Sequence, residues 1–207
     1  SMHIGLDARM YGIQHRGIGR YVQRLLEHLA KLKDNHRYTV FMSSDAAVNF
    51  MVPSGKFKII KADVPWYGLR EHWLMPRLVR RSGVDIMHWP HINVPYWCPV
   101  PYAVTVHDLI VWHFPDSRAT TLPAWQYQIK LWAYRRILRR AAAGARVIMA
   151  VSNFTKRDLV RQLGLDEKKI KVTYPGTDKM VLGTAKLSNP APFTDYLQKS
   201  FGIRRPY

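Results

Sequence analysis

The sequence predicts an α/β domain built on a doubly wound, mostly parallel sheet of about seven strands. Short apolar runs rich in β-branched and aromatic residues alternate with helical segments along most of the chain. Runs near the middle, such as Asp85 to His88 and Tyr102 to His107, stop at polar residues. Right-handed crossovers would gather the C-terminal ends of all such strands on one edge of the sheet, where ligands of doubly wound folds bind.

The elements follow in order. His3 to Ala8 reads as a short buried first strand, followed by a loop rich in Gly and Arg. From Gly17 onward, Ile18, Tyr21, Val22, Leu25, Leu26 and Leu29 fall on one face of a helix of several turns, the strongest periodic signal in the chain. Tyr38 to Met42 and Phe57 to Ile60 read as two more strands, separated by a polar stretch with Pro53, Ser54 and Gly55. A helix from Leu69 to Arg81 ends at Gly83, with Pro76 at a kink or near an end. Between the strands Asp85 to His88 and Tyr102 to His107 lies a loop carrying His91, Pro95, Trp97 and Pro99. A long helix from Pro123 to Ala143, stopped by Gly144, feeds the strand Val147 to Val151. Ser152 is a good N-cap for a helix from Asn153 to Leu163, ended by Gly164, before the last strand from Ile170 to Tyr174. The pattern weakens from Lys179, so residues 2–178 read as the domain and 179–207 as a linker with one short helix, Thr194 to Phe201. Ser1 ahead of Met2 reads as the scar of a removed tag, and a further domain is expected beyond the linker.

Composition narrows the function classes. A chain of 207 residues with 47% hydrophobic content holds one sizeable core. The single cysteine, Cys98, excludes an internal disulfide framework, and a signal-like N-terminus and a membrane-spanning apolar run are both missing from the sequence. A cytoplasmic protein is the natural expectation, with room for peripheral contact with the inner face of the plasma membrane. The charge is the loudest signal: 32 Lys plus Arg against 14 Asp plus Glu gives a formal +18. A polyanionic partner is implied, whether nucleic acid, anionic lipid or a diphosphate-bearing small molecule.

Two places carry chemistry. In Arg16-Gly17-Ile18-Gly19-Arg20, two glycines open the strongest helix, where backbone N–H groups and the helix dipole can face a phosphate or diphosphate. The alternative use of the glycines is a tight turn. A dinucleotide fingerprint is excluded, because its third glycine would fall at Val22. The second place is His107-Asp108, at the end of a strand and so on the expected ligand edge. The imidazole can bond a sugar hydroxyl or a carbonyl; the carboxylate can orient the ring or cap the next segment. Both places are expected on one rim. His88, His91 and His113 have neither a cysteine pair nor helical spacing, so no metal site is expected.

Two basic segments also carry aromatic rings. One runs from Trp66 through Arg70 and Trp73 to Arg77, Arg80 and Arg81; the other from Trp125 through Lys130 and Trp132 to Arg135, Arg136, Arg139 and Arg140. Rings at headgroup level and cations on phosphates suit an interfacial helix, and the same chemistry suits single-stranded nucleic acid. Core aromatics with a solvated basic face are the structural alternative.

Taken together, Asp7-Ala8-Arg9, then Arg16-Gly17-Ile18-Gly19-Arg20-Tyr21, then Thr105-Val106-His107-Asp108-Leu109, then Val151-Ser152-Asn153-Phe154-Thr155, and finally Tyr174-Pro175-Gly176-Thr177-Asp178 resemble the N-terminal domain of glycosyltransferase family four. These are retaining enzymes of the two-domain GT-B fold, mannosyltransferases of surface-polysaccharide pathways among them. The resemblance implies that Gly17, Ile18 and Gly19 approach the donor diphosphate and that His107, with Asp108 beside it, contacts the donor sugar. It places Ser152 and Asp178 toward the cleft, and Arg16, Arg20 and His88 join them as candidate acceptor or cleft residues. The Arg/Lys pair and the Glu-x7-Glu motif of the family belong to its C-terminal domain and are missing from this sequence, so the chain is expected not to turn over by itself. Implied substrates are a nucleotide-sugar, with mannose as one candidate hexose, and a saccharide or lipid-linked acceptor, with no cofactor and no required metal. A basic nucleic-acid-binding domain, or an epimerase or phosphorylase of the same fold, are the rival readings; nucleic acid is not expected because no recognition motif accompanies the charge.

Overall fold

The computed structural model describes residues 1–12, 16–50, 55–113 and 123–175, without the side chains of Arg16 and Ala124. The chain divides after Tyr174 into Ser1–Tyr174 and Pro175–Tyr207, and the fold below is that of the first unit. Asp178, the linker 179–207 and its expected helix lie outside the described residues.

The strands are β1 (His3–Asp7), β2 (Arg37–Met42), β3 (Phe57–Lys61), β4 (Ile86–Trp89), β5 (Tyr102–Val106), β6 (Val147–Ala150) and β7 (Ile170–Val172). They form one seven-stranded sheet in the order β3-β2-β1-β4-β5-β6-β7. Every pairing is parallel, from Ile4 opposite Tyr38 on one side of β1 to Leu6 opposite His88 on the other. The strand order reverses between β1 and β4, which is the topological switch point of a doubly wound sheet.

The helices are α1 (Arg16–Lys31), α2 (Ser44–Val48), α3 (Glu71–Ser82), α4 (Ile110–His113), α5 (Ala124–Gly144) and α6 (Asn153–Leu163), with a 3-10 turn at Glu167–Lys169. Period-2 alternation distributes the strand residues between two layers. Leu6, Val40 and Met42 pack with Val22 and Leu26 of α1, while Phe41, Met87 and Val104 pack with Met75 and Val79 of α3 and Leu138, Ala141 and Ala142 of α5. Cover on both faces explains why all five residues of β5 are buried and why the strands read as near-continuous apolar runs.

Gly83 and Gly164 end α3 and α6 in the left-handed conformation, at φ 68° and 64°, as the stop signals predict. Gly144 differs from its expected role. It is the last residue of α5, capped by the extended Ala145, and a Cβ there would stand 2.5 Å from the Tyr102 hydroxyl; it serves close packing on β5 instead of a left-handed stop. Pro76 lies buried inside α3, where only the carbonyl of the first turn loses its partner. The short helices α2 and α4 were not legible in the sequence, because neither has enough turns to show a period.

Candidate functional site

Because all strands are parallel, their C-terminal ends share one edge, and the residues that leave β4 and β5 there meet the start of α1. His107 follows β5. Its Nε2 lies 2.8 Å from the Pro90 carbonyl oxygen, and its ring meets Tyr21 edge-on, centroids 5.0 Å apart at 89°. A carbonyl can only accept, so Nε2 carries the proton, and Nδ1 keeps its lone pair as a hydrogen-bond acceptor. Burial pushes the imidazole pKa below its ordinary value, against the Pro90 bond and Asp108, which favour the charged form. His107 is therefore a neutral acceptor at the sheet edge, suited to a hydroxyl.

Support comes from below. The Tyr21 hydroxyl is 3.4 Å from Thr105 Oγ1, which is 2.9 Å from His88 Nε2. This chain ties the second turn of α1 to β5 and β4. His88 differs from its expected place in the cleft: at 8% exposed it is a core residue beneath His107. His91, in the loop after β4, lies near Tyr67 and takes a 3.3 Å bond from the Asn93 amide.

Burial, with repulsion from His107 second, lowers both imidazoles to about 4, from 6.5 in the free residue. The folded protein therefore binds fewer protons than the unfolded chain between these values. The stability from keeping the rings neutral is fully present above pH 6.5 and is lost as pH falls toward 4, at about 1.4 kcal/mol per pH unit for each ring. Urea unfolding between pH 7 and pH 5 should show this slope, and His88→Asn should remove about half of it. An unchanged slope in the variant would place the His88 ring outside this account.

The helix-opening glycines have distinct positions. Gly17 is exposed, and a Cβ added to it would meet nothing within 4 Å. Ile18 turns inward and lines, with Asp7, Pro90, His91 and Asn93, a gap of about 10 Å³ at the switch point. Gly19, the fourth helical residue, is buried; its amide is the first in α1 that can bond within the helix, whereas those of Gly17 and Ile18 belong to the open first turn. Arg20 is exposed. Ile18 thus packs against the same proline whose carbonyl holds His107, and Tyr21 against its ring. The glycine turn and the imidazole share one rim.

The other expected residues lie near this rim with structural bonds of their own. Asp108 is exposed, and its Oδ1 accepts from the Ile110 amide, 3.0 Å, capping α4. Ser152 caps α6 by accepting from the Thr155 amide, 3.0 Å, and the Thr155 hydroxyl donates to the His107 carbonyl at 3.4 Å. A second helix N-terminus therefore adjoins His107. His113, away from any metal cluster, sits 2.5 Å from Asp158 of α6. Among the described residues no group of three His, Cys, Asp or Glu could hold a metal ion.

Two features escaped sequence reasoning. The first is a buried ion network in which Arg9 donates to both Asp7 oxygens at 2.8 Å and to Glu71 Oε1 at 2.5 Å. Glu71 Oε2 accepts from Asn93 Nδ2 at 2.7 Å and the Tyr67 amide at 3.0 Å. Burial alone would lower the Arg9 pKa; Asp7 and then Glu71 reverse that and raise it, fixing the charge. The Tyr67 bond accompanies a left-handed backbone, φ 59°, unusual for a non-glycine residue. The second feature is a cavity of about 650 Å³ beyond the ends of β1, β2 and β3, lined by Arg9, Tyr11, Gln23, Asn49, Trp66 and the carboxylates Asp45 and Asp63, among others. The only sequence signal for it is the polar Ser43-Ser44-Asp45 after β2 and the single Asp63 after β3.

The basic segments occupy α3 and α5. Arg77, Arg80, Arg81, Lys130, Arg136 and Arg139 are exposed. Arg140 is engaged in the fold, donating to the carbonyls of Val94 (2.5 Å), Pro95 (3.0 Å) and Tyr96. Among the described residues no helix is long and apolar enough to cross a membrane.

A parallel sheet wound in this order, with polar groups gathered on its C-terminal rim, is a Rossmann-like domain, the kind from which GT-B enzymes are built. The chain belongs to Glycosyltransferase Family 4, whose sequence profile matches residues 15–180. Among solved structures it is similar to a glycosyltransferase from Rickettsia africae ESF-5, with 16% identity and TM-score 0.52 over 99% of this chain and 51% of that one. The wall teichoic acid polymerase TagF gives 13% identity and TM-score 0.53, covering 98% and 44%. A UDP-N-acetylglucosamine 2-epimerase gives 11% and 0.52, covering 84% and 48%. At these identities the likeness is one of fold, and the chain spans about half the length of each structure. No curated protein matches the sequence significantly.

Proposed function

We propose that this domain is the acceptor-side half of a retaining hexosyltransferase that works with a second, donor-binding domain. The observation that carries the reading is the shared rim, where neutral His107 stands against Tyr21 of the helix opened by Gly17 and Ile18. The free amides and dipole of the first turn of α1 suit the donor diphosphate. His107 Nδ1 accepts a hydroxyl of the donor sugar and orients it. Charge developing on the leaving diphosphate is then stabilised by amides and by cations of the second domain, which needs no metal. Closure of the two domains would exclude water.

The large cavity beyond β1 to β3 suits the acceptor saccharide. Its lining includes the rings of Tyr11 and Trp66, while Asp45 and Asp63 favour hydroxyl donors and oppose an anion inside it. The anionic part of a lipid-linked acceptor would lie outside. A role in surface polysaccharide synthesis, with mannose as the first donor to try, fits the family.

A donor screen on the two-domain enzyme, with product analysis, tests the reading. Transfer to an acceptor with retained configuration is expected; conversion of the nucleotide-sugar without an acceptor would replace it with an epimerase. In the same assay Gly17→Val should raise the donor KM about tenfold or more, while stability changes by no more than about 1 kcal/mol, because the new side chain enters open space. A larger loss in stability than in donor use would make Gly17 a turn residue only.

A further inference from the structure

We propose that the face formed by α3, α5 and the loop from Val94 to Trp97 docks on an anionic lipid bilayer, with the arginine-lined groove along α5 taking phosphoryl headgroups. The inference does not rest on the transfer reaction. Both helices pack on the same core cluster, and the loop joins them. The Tyr96 amide donates to His72 of α3 at 2.9 Å, Arg80 of α3 lies 4.9 Å over the Trp97 ring, and Arg140 of α5 holds the Val94 and Pro95 carbonyls.

The outward stripe of α5 reads Trp125, Ile129, Trp132, Arg136 and Arg139, spaced to fall on one side of a helix. Both tryptophans are 64% exposed and Ile129 57%. On α3, Trp73 at 69% precedes exposed Arg77 and Arg80, and Leu69 at 84% stands just before the helix. Each helix thus starts aromatic and ends basic. Each follows a strand, so the aromatic ends lie toward the edge that carries His107.

Charge complementarity selects the occupant. Helix α5 carries five cations and no carboxylate; the one carboxylate of α3, Glu71, is buried against Arg9. The groove along α5, about 680 Å³, is lined by Trp112, Trp132, Arg135, Arg136 and Arg139, among others. Arg135 and Arg139 lie over the Trp112 ring at 5.1 and 5.0 Å, which holds the guanidinium groups side by side for an anion. Rings at headgroup depth with cations on phosphates are the interfacial arrangement. Exposed aliphatic Leu69 and Ile129 favour a bilayer over nucleic acid, whose bases stack on rings.

The test is cosedimentation of the 207-residue chain with vesicles of phosphatidylcholine containing phosphatidylglycerol, against pure phosphatidylcholine. Binding to the anionic vesicles at low salt and release at high salt are expected. The pair Arg136→Gln and Arg139→Gln should weaken binding about 30-fold, at about fivefold per cation. The pair Trp125→Ser and Trp132→Ser should weaken it without changing its salt dependence. The charge-matched pair Lys31→Gln and Lys33→Gln, at the end of α1, should leave it unchanged, and circular dichroism confirms that each variant folds. The proposal is overturned by failure to bind, by equal loss in the lysine pair, by a dimer that the tryptophan pair dissolves, or by a single-stranded RNA oligomer that binds more tightly than the vesicles at the same ionic strength.

Discussion

Glu71→Ala is expected to destabilise the domain by about 3–5 kcal/mol, the largest loss of any single substitution considered, because it leaves the buried Arg9 charge with one of its two carboxylates. The side chains are 1% and 0% exposed, so water cannot replace the lost carboxylate. The same change frees Asn93 and the Tyr67 amide, which Glu71 holds, and unpaired buried donors add to the cost. Urea unfolding measures it. Replacing both partners, as Arg9→Met with Glu71→Leu, should recover most of the stability, since a matched apolar pair avoids desolvation. A loss below about 1 kcal/mol for Glu71→Ala would mean that the network is hydrated. Arg9 also lines the large cavity, so the double variant separates two roles: a stable protein with impaired acceptor use would show that the charge itself serves the site.

The second large effect is on activity. In the two-domain enzyme, His107→Ala should lower kcat for transfer about a hundredfold or more, the scale of losing one preorganised polar contact, while the fold persists. The ring is only part-buried, and among the described residues its hydrogen bond is to the Pro90 carbonyl. Because the imidazole is held neutral by burial, it acts by accepting a hydrogen bond, and His107→Gln should retain more activity than His107→Ala. Near-normal transfer by the alanine variant would remove His107 from the mechanism.

The fold was legible because the sheet is covered on both faces. Strands such as Tyr102–Val106 read as unbroken apolar runs, and the stripe of α1 as a period of 3.6. Stop signals were legible where the backbone requires glycine, at Gly83 and Gly164, and not at Gly144, where the demand is steric and comes from Tyr102, far along the chain. At the site, His107 and the opening of α1 could be placed because a strand end and a helix start are local features. The Arg9 and Glu71 pair could not, since its partners stand 62 positions apart and the local motif Asp7-Ala8-Arg9 says nothing of Glu71. His88 shows the opposite failure: a strand-end histidine suggested the cleft, but one register step sets it inside the sheet against Thr105. On charge alone Arg140 belongs with the basic face, whereas its guanidinium donates to the carbonyls of a proline-rich loop.

A titration of the isotopically labelled chain with inorganic pyrophosphate, followed by NMR, puts the shared rim to its most direct trial. The amides of Gly17 and Ile18 and the ring of His107 should shift together along one saturation curve. Shifts confined to the arginines of α5, with that rim silent, would mean that the anion is met elsewhere and that the glycine turn is not the donor site.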